Sequence, residues 1–144
     1  MRRIAGYPLW LGHAGDGRDL RAIHEAGIEA VVDLAANEPP AVLSRDLIYL
    51  RFPLADGPGN PPWLVRLAVE SVAKLLASGT PTLVCCSEGL SRSPCIAAAA
   101  IDHLNPGETP QGLARIAGAG IADASPLLWA EVVRITANQD KMID

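Results

Sequence analysis

The stretch from Pro94 to Leu104, "PCIAAAAIDHL", constrains the fold more than any other part of the chain. Wound as a helix it is apolar on nearly every face, and such a helix is stable when buried against a sheet rather than facing water. Asn105-Pro106-Gly107 ends it. Directly upstream lies "PTLVCC" (Pro81 to Cys86), an apolar run with strand character. A strand, a short loop and a buried helix therefore follow one another.

The rest of the chain alternates in the same way. Leu9 to Gly12 reads as a short strand, with Asp16 as the N-cap of a helix that carries Leu20, Ile23 and Ala26 and stops at Gly27. Ala30 to Ala35, "AVVDLA", is a nearly continuous apolar run, as expected of a strand covered on both faces. Leu47 to Phe52 is a further strand. Trp63 to Ala77 gathers Leu64, Leu67, Ala68, Val72, Leu75 and Leu76 on one side of a helix. Thr109-Pro110 and Ser125-Pro126 each read as an N-cap followed by Pro at the first helical position, so two more helices close the chain. The pattern predicts an α/β fold: a small central, mostly parallel twisted sheet of four to five strands with helices on both faces.

At 144 residues the chain has the length of a single domain, here 1–144. Hydrophobic residues make 49% and charged ones 19%, which describes an ordered chain, and Phe, Trp and Tyr at 4% make its core aliphatic. A formal net charge of -4 with no basic block beyond Arg2-Arg3 argues against a nucleic-acid partner. No apolar run reaches the roughly 20 residues of a bilayer span, and Gly6, Pro8 and Gly12 interrupt any signal-like segment. The expectation is a cytoplasmic protein without a membrane partner. Cys85, Cys86 and Cys95 are odd in number and lack the spacing of a zinc site or disulfide framework, so no metal or cofactor is expected. His13, His24 and His103 are scattered and receive no role, and Cys95 reads as a small core residue.

In open α/β sheets ligands bind beyond the carboxyl ends of strands. Residues 86–93, "CSEGLSRS", occupy such an end. With a helix beginning near Ser91, the amides of Ser87, Glu88, Gly89, Leu90, Ser91 and Arg92 can converge, and the helix dipole adds positive potential there. Arg92 contributes a planar, permanently charged fork suited to two oxygens of a phosphate-like group. The same field falls on the sulfur of Cys86 and favours a nucleophile at that place.

These residues, Cys85-Cys86-Ser87-Glu88-Gly89-Leu90-Ser91-Arg92-Ser93, closely resemble the HCxxGxxRS signature of cysteine-based protein phosphatases, the dual-specificity branch in particular. The resemblance runs over most of the chain and is weakest in the last thirty residues. It implies a cysteinyl-phosphate intermediate on Cys86, oxyanion binding by Arg92 and the loop amides, and a Ser93 hydroxyl bonded to the sulfur. It also implies a general acid on a loop about thirty residues before the nucleophile, where Asp56 stands in "RFPLADGPGNPP". Asp56 is equally a normal turn former. Its rivals Asp33 and Asp46 lie inside and before a strand. Glu88 is expected to anchor the loop through hydrogen bonds.

One departure stands out: Cys85 occupies the place of the family's His, and a thiol is only a weak hydrogen-bond donor. A neighbouring thiol could also resolve an oxidised Cys86, although adjacent residues of a strand point to opposite faces. The implied substrate is a phosphorylated protein or small phosphorylated molecule, with a phosphate or sulfate ion fitting the loop. Alternative classes are another Cys-x5-Arg loop enzyme, such as an arsenate reductase or sulfurtransferase, and a non-catalytic phosphate-binding module. Leu90, Trp63 and Trp129 are candidates to line the entrance.

Overall fold

The computed structural model describes residues 1–120 and 123–137. Its strands are β1 (Arg2–Ile4), β2 (Leu9–His13), β3 (Ala30–Ala35), β4 (Ile48–Leu54) and β5 (Thr82–Cys86). Its helices are α1 (Leu20–Glu25), α2 (Pro62–Ala77), α3 (Arg92–Leu104), α4 (Gly112–Gly118) and α5 (Pro126–Ala137), with a 3-10 turn at Asp16–Arg18. The strands form one sheet in the order β1-β2-β5-β3-β4. All neighbours are parallel except the β1–β2 pair, so the expected mostly parallel sheet is present with five strands.

Side-chain alternation divides the central strands between two cores. Val32, Leu34, Val84 and Cys86 face the larger one, built with α2, α3, α4 and α5. Val31, Leu83 and Cys85 face a smaller one closed by Ile23 and Ile28 around α1. Both faces are covered, but unequally. The alanine run of α3 is buried throughout, from Arg92 to Ile101, because α3 lies among the sheet, α2, α4 and α5.

Several boundaries differ from expectation for identifiable reasons. The cap of α1 is Asp19, whose carboxylate accepts the Ala22 N–H at 3.1 Å; Asp16 instead accepts from the His13 N–H at 3.0 Å. Strand β4 continues through Pro53 to Leu54, which is possible because it is an edge strand where a missing N–H leaves no partner stranded. Helix α4 begins at Gly112 rather than after Thr109, since the Asp102 carboxylate of α3 takes the N–H groups of both Gln111 and Gly112. Helix α5 starts as expected, with the Leu128 N–H donating to Ser125 Oγ at 3.3 Å. Strand β1 had no signal in the sequence beyond Ile4, the one buried residue of its three. Among the described residues no helix is long and apolar enough to cross a membrane.

Two consequences of this packing are measurable. A Cβ at position 112 would collide with the Ala98 carbonyl across the α3–α4 contact; Gly112→Ala should cost about 1–3 kcal/mol in a chemical melt, and an unchanged midpoint would contradict the contact. Burial pushes the Cys95 thiol up to about 12. Above the usual thiol value of about 8.5 the unfolded chain releases a proton that folded Cys95 keeps, so stability falls as pH rises through that window. The urea midpoint should drop from pH 8 to pH 10, and less steeply in Cys95→Ala.

Candidate active site

The carboxyl ends of β3, β4 and β5 open on a cavity of about 580 Å³ lined by Asn37, Asp56, Cys86, Arg92 and Asp123, among others. Cys86 is the last residue of β5, Arg92 the first of α3, and residues 87–91 join them. The turn needs Gly89: its φ is +77°, and a Cβ there would lie 2.7 Å from the Gly12 carbonyl oxygen of β2. The loop is thus pressed against the neighbouring strand. No turn or loop hydrogen bond among the described residues takes a backbone N–H of residues 87–92 as its donor. Successive free amides of this kind form a concavity for an anion.

Arg92 is 5% exposed. Its Nη1 donates to Asn37 Oδ1 and to the Leu54 carbonyl, both at 2.9 Å, while Nε is buried without a partner. A buried guanidinium nitrogen left unpaired is costly, and an anion in the cavity would satisfy it. Ser93, fully buried one residue further on, donates from Oγ to Cys86 Sγ at 2.9 Å. The sulfur therefore sits at the helix N-terminus with a hydroxyl directed at it.

Asp56 lies on the loop after β4 and lines the same cavity. Two residues not singled out from the sequence hold that loop. Asn60, buried, accepts the Ala55 N–H through Oδ1 at 2.8 Å and donates from Nδ2 to the carbonyls of Ala55 and Gly57. Glu131 of α5 accepts the Gly59 N–H at 3.0 Å. Ser91, expected to contribute its amide, also contributes its side chain. Its Oγ donates to Asp56 Oδ1 at 2.7 Å and accepts the Ser125 N–H at 2.9 Å, joining three loops at one hydroxyl. The rivals lie elsewhere: Asp33 accepts from Tyr49 Oη at 2.7 Å and from the Ala35 N–H where the β3–β4 register shifts, and Asp46 precedes β4 at the opposite end of that strand.

The loop is anchored by an acid, but not by Glu88, which is exposed and makes no side-chain hydrogen bond among the described residues. Glu38 does it. Its Oε1 accepts from Ser87 Oγ at 2.9 Å and its Oε2 from Arg18 Nη2 at 3.1 Å. The Ser87 hydrogen bond, then that of Arg18, hold its pKa below the ordinary carboxylate value. Because Asn37 bonds Arg92, the adjacent pair Asn37-Glu38 braces the loop at both ends. The sequence offers only a polar pair beyond the apolar strand run, separated from it by Ala36, which does not assign either residue this task.

Cys85 faces away from the cavity into the smaller core, so Cys85 and Cys86 belong to opposite sides of the sheet. Burial, then the charge of Asp33, raises the Cys85 pKa strongly. All three cysteines are free thiols. Resolution of an oxidised Cys86 by Cys85, raised above as an expectation, is not what this geometry offers. Of the proposed entrance residues Leu90 lines the cavity. Trp63 is exposed at the start of α2 and Trp129 lines a separate groove beside α3. Among the described residues no group of three or more His, Cys, Asp or Glu could hold a metal ion.

No family model matches the chain, and no curated protein matches it in sequence. Solved structures do match. Human DUSP28 superimposes with a TM-score of 0.82 at 19% identity, covering 99% of each chain. A mouse putative dual specificity phosphatase, crystallised with zinc tungstate, gives 0.81 at 21% identity over 99% of this chain and 90% of that one. DUSP15 gives 0.75 at 23% identity over 97% and 90%. The fold around the cavity is that of the dual-specificity phosphatases.

Proposed function

We propose that the chain is a phosphomonoester hydrolase working through a cysteinyl-phosphate intermediate on phosphotyrosine and/or phosphoserine/threonine proteins. The observation that carries the reading is that Cys86, Arg92 and Asp56, from three different segments, line one cavity. The fold shared with proteins titled as phosphatases supports it. So does the tungstate held by the mouse protein, since tungstate is a tetrahedral oxyanion like phosphate.

In this reading the phosphoryl group sits against the free amides of residues 87–92, with two oxygens on the Arg92 guanidinium edge that includes the unpaired Nε. The Cys86 thiolate attacks phosphorus and the bond to the leaving oxygen breaks. Asp56 donates a proton to that oxygen. The Ser91 hydroxyl already occupies its Oδ1, which leaves Oδ2 to carry the transferable proton. In the second step Asp56 as carboxylate takes a proton from water as the water attacks phosphorus. The sulfur–phosphorus bond breaks, its electron pair returns to Cys86, and the Ser93 hydroxyl at 2.9 Å stabilises the thiolate that leaves. No redox or metal-dependent step is needed.

Hydrolysis of para-nitrophenyl phosphate tests this. Wild type should turn it over, Cys86→Ser should not, and Asp56→Asn should lose about a hundredfold or more in kcat. Turnover that survives in Cys86→Ser would rule the reading out, as would phosphate binding by wild type without hydrolysis. The loop brace has its own signature. Asn60→Ala should lower kcat about ten- to a hundredfold by misplacing Asp56, with less effect on aryl esters whose leaving groups need no proton. An equal loss on good and poor leaving groups would assign Asn60 a different role.

A further inference from the structure

The charge around the cavity mouth speaks to which phosphorylated group can enter. Among the described residues that line it, Asp56, Glu88 and Asp123 are acidic and Arg92 is the one cation. Arg92 is buried at the floor, whereas Asp56, Glu88 and Asp123 are exposed. Two arginines behind the site are turned to other partners and do not line the cavity: Arg18 bonds Glu38, and Arg51 Nη2 bonds the carbonyls of Ala35 and Glu38. The lining thus has a cationic floor beneath an acidic rim.

Two of the rim acids stand on backbone that belongs to the site or is tied to it. Glu88 belongs to the loop between Cys86 and Arg92. Asp123 stands two residues before Ser125, whose N–H is fastened to Ser91 Oγ of that loop at 2.9 Å. Neither carboxylate is neutralised by an ion pair among the described residues. The unpaired buried Arg92 Nε marks where an anionic group goes, and anything attached to that group lies beside the rim.

We infer that the rim selects a phosphorylated side chain whose neighbours are Lys or Arg, and rejects polyanions such as multiply phosphorylated segments. This rests on the hydrolase reading and names its substrate class. A dianionic phosphate reaches the floor because Arg92 and six amides await it, while a second anion beside it meets Glu88 and Asp123. Each exposed charge pair at such a rim changes relative affinity by about threefold at low ionic strength, and less in salt. The two rim carboxylates together give about tenfold.

The test uses para-nitrophenyl phosphate and two singly phosphorylated tyrosine peptides identical except for two Lys or two Glu flanking the phosphotyrosine. At low salt kcat/KM should favour the Lys peptide by about tenfold, and the ratio should shrink towards one at high salt. Glu88→Gln with Asp123→Asn should collapse the low-salt ratio. If wild type hydrolyses para-nitrophenyl phosphate but shows no Lys preference, or turns over neither peptide, the inference falls and the hydrolase reading stands. A preference that survives in the double variant overturns the assignment to these two residues. If wild type leaves para-nitrophenyl phosphate intact, both readings fall together.

Discussion

Burial of α3 on all sides is the constraint from which the site follows. Its alanines lie between the sheet and three other helices, and a helix so enclosed has one position along its own axis. Its first turn is therefore fixed relative to the end of β5, and the five residues between them have little freedom. Gly89 pressed on Gly12 and the Ser93–Cys86 hydrogen bond complete the constraint. Packing far from the cavity sets the geometry inside it.

Polar contacts then tie the loops to one another rather than to the core. Arg92 reaches back to Leu54 and Asn37, Glu38 holds Ser87, and Ser91 holds Asp56 and the Ser125 amide. The β3–β4 register shift lies just before Asn37-Glu38, and the Asp33 carboxylate takes the Ala35 N–H there. In such a network each bond depends on its neighbours, so single losses propagate.

Much of this was legible in the chain. Ala30–Ala35 matches its strand to the residue because an apolar run covered on both faces has sharp ends, and the β5–loop–α3 unit carries its chemistry in consecutive residues. Asn60, Glu38 and the second duty of Ser91 were not legible. Glu38 and Ser91 act through partners many positions away, and Asn60, which bonds residues only three to five positions back, owes its role to a burial that nothing in its loop sequence marks. Glu88 misled for the same reason. It is adjacent in sequence, whereas the anchoring acid comes from the loop after β3. The displaced starts of α1 and α4 reflect competition for the cap: Asp19 takes it from Asp16 at α1, and at α4 the Asp102 carboxylate of α3 takes the N–H groups of Gln111 and Gly112 in place of Thr109.

Cys85, at the position where the HCxxGxxRS signature carries His, stands in a tight space. A Cβ on Gly17 would lie 2.8 Å from the Cys85 sulfur, and the space around Cys85, Asp33 and Tyr49 is only about 10 Å³. An imidazole does not fit there without displacing the 3-10 turn that carries Gly17 and Arg18. Arg18 holds Glu38, and Glu38 holds Ser87. An imidazole at position 85 would therefore loosen the loop of residues 87–91 from behind. Gly17 has no side chain to give up, so residue 85 can grow only if the 3-10 turn itself moves, whereas a larger residue at 17 calls for a smaller one at 85.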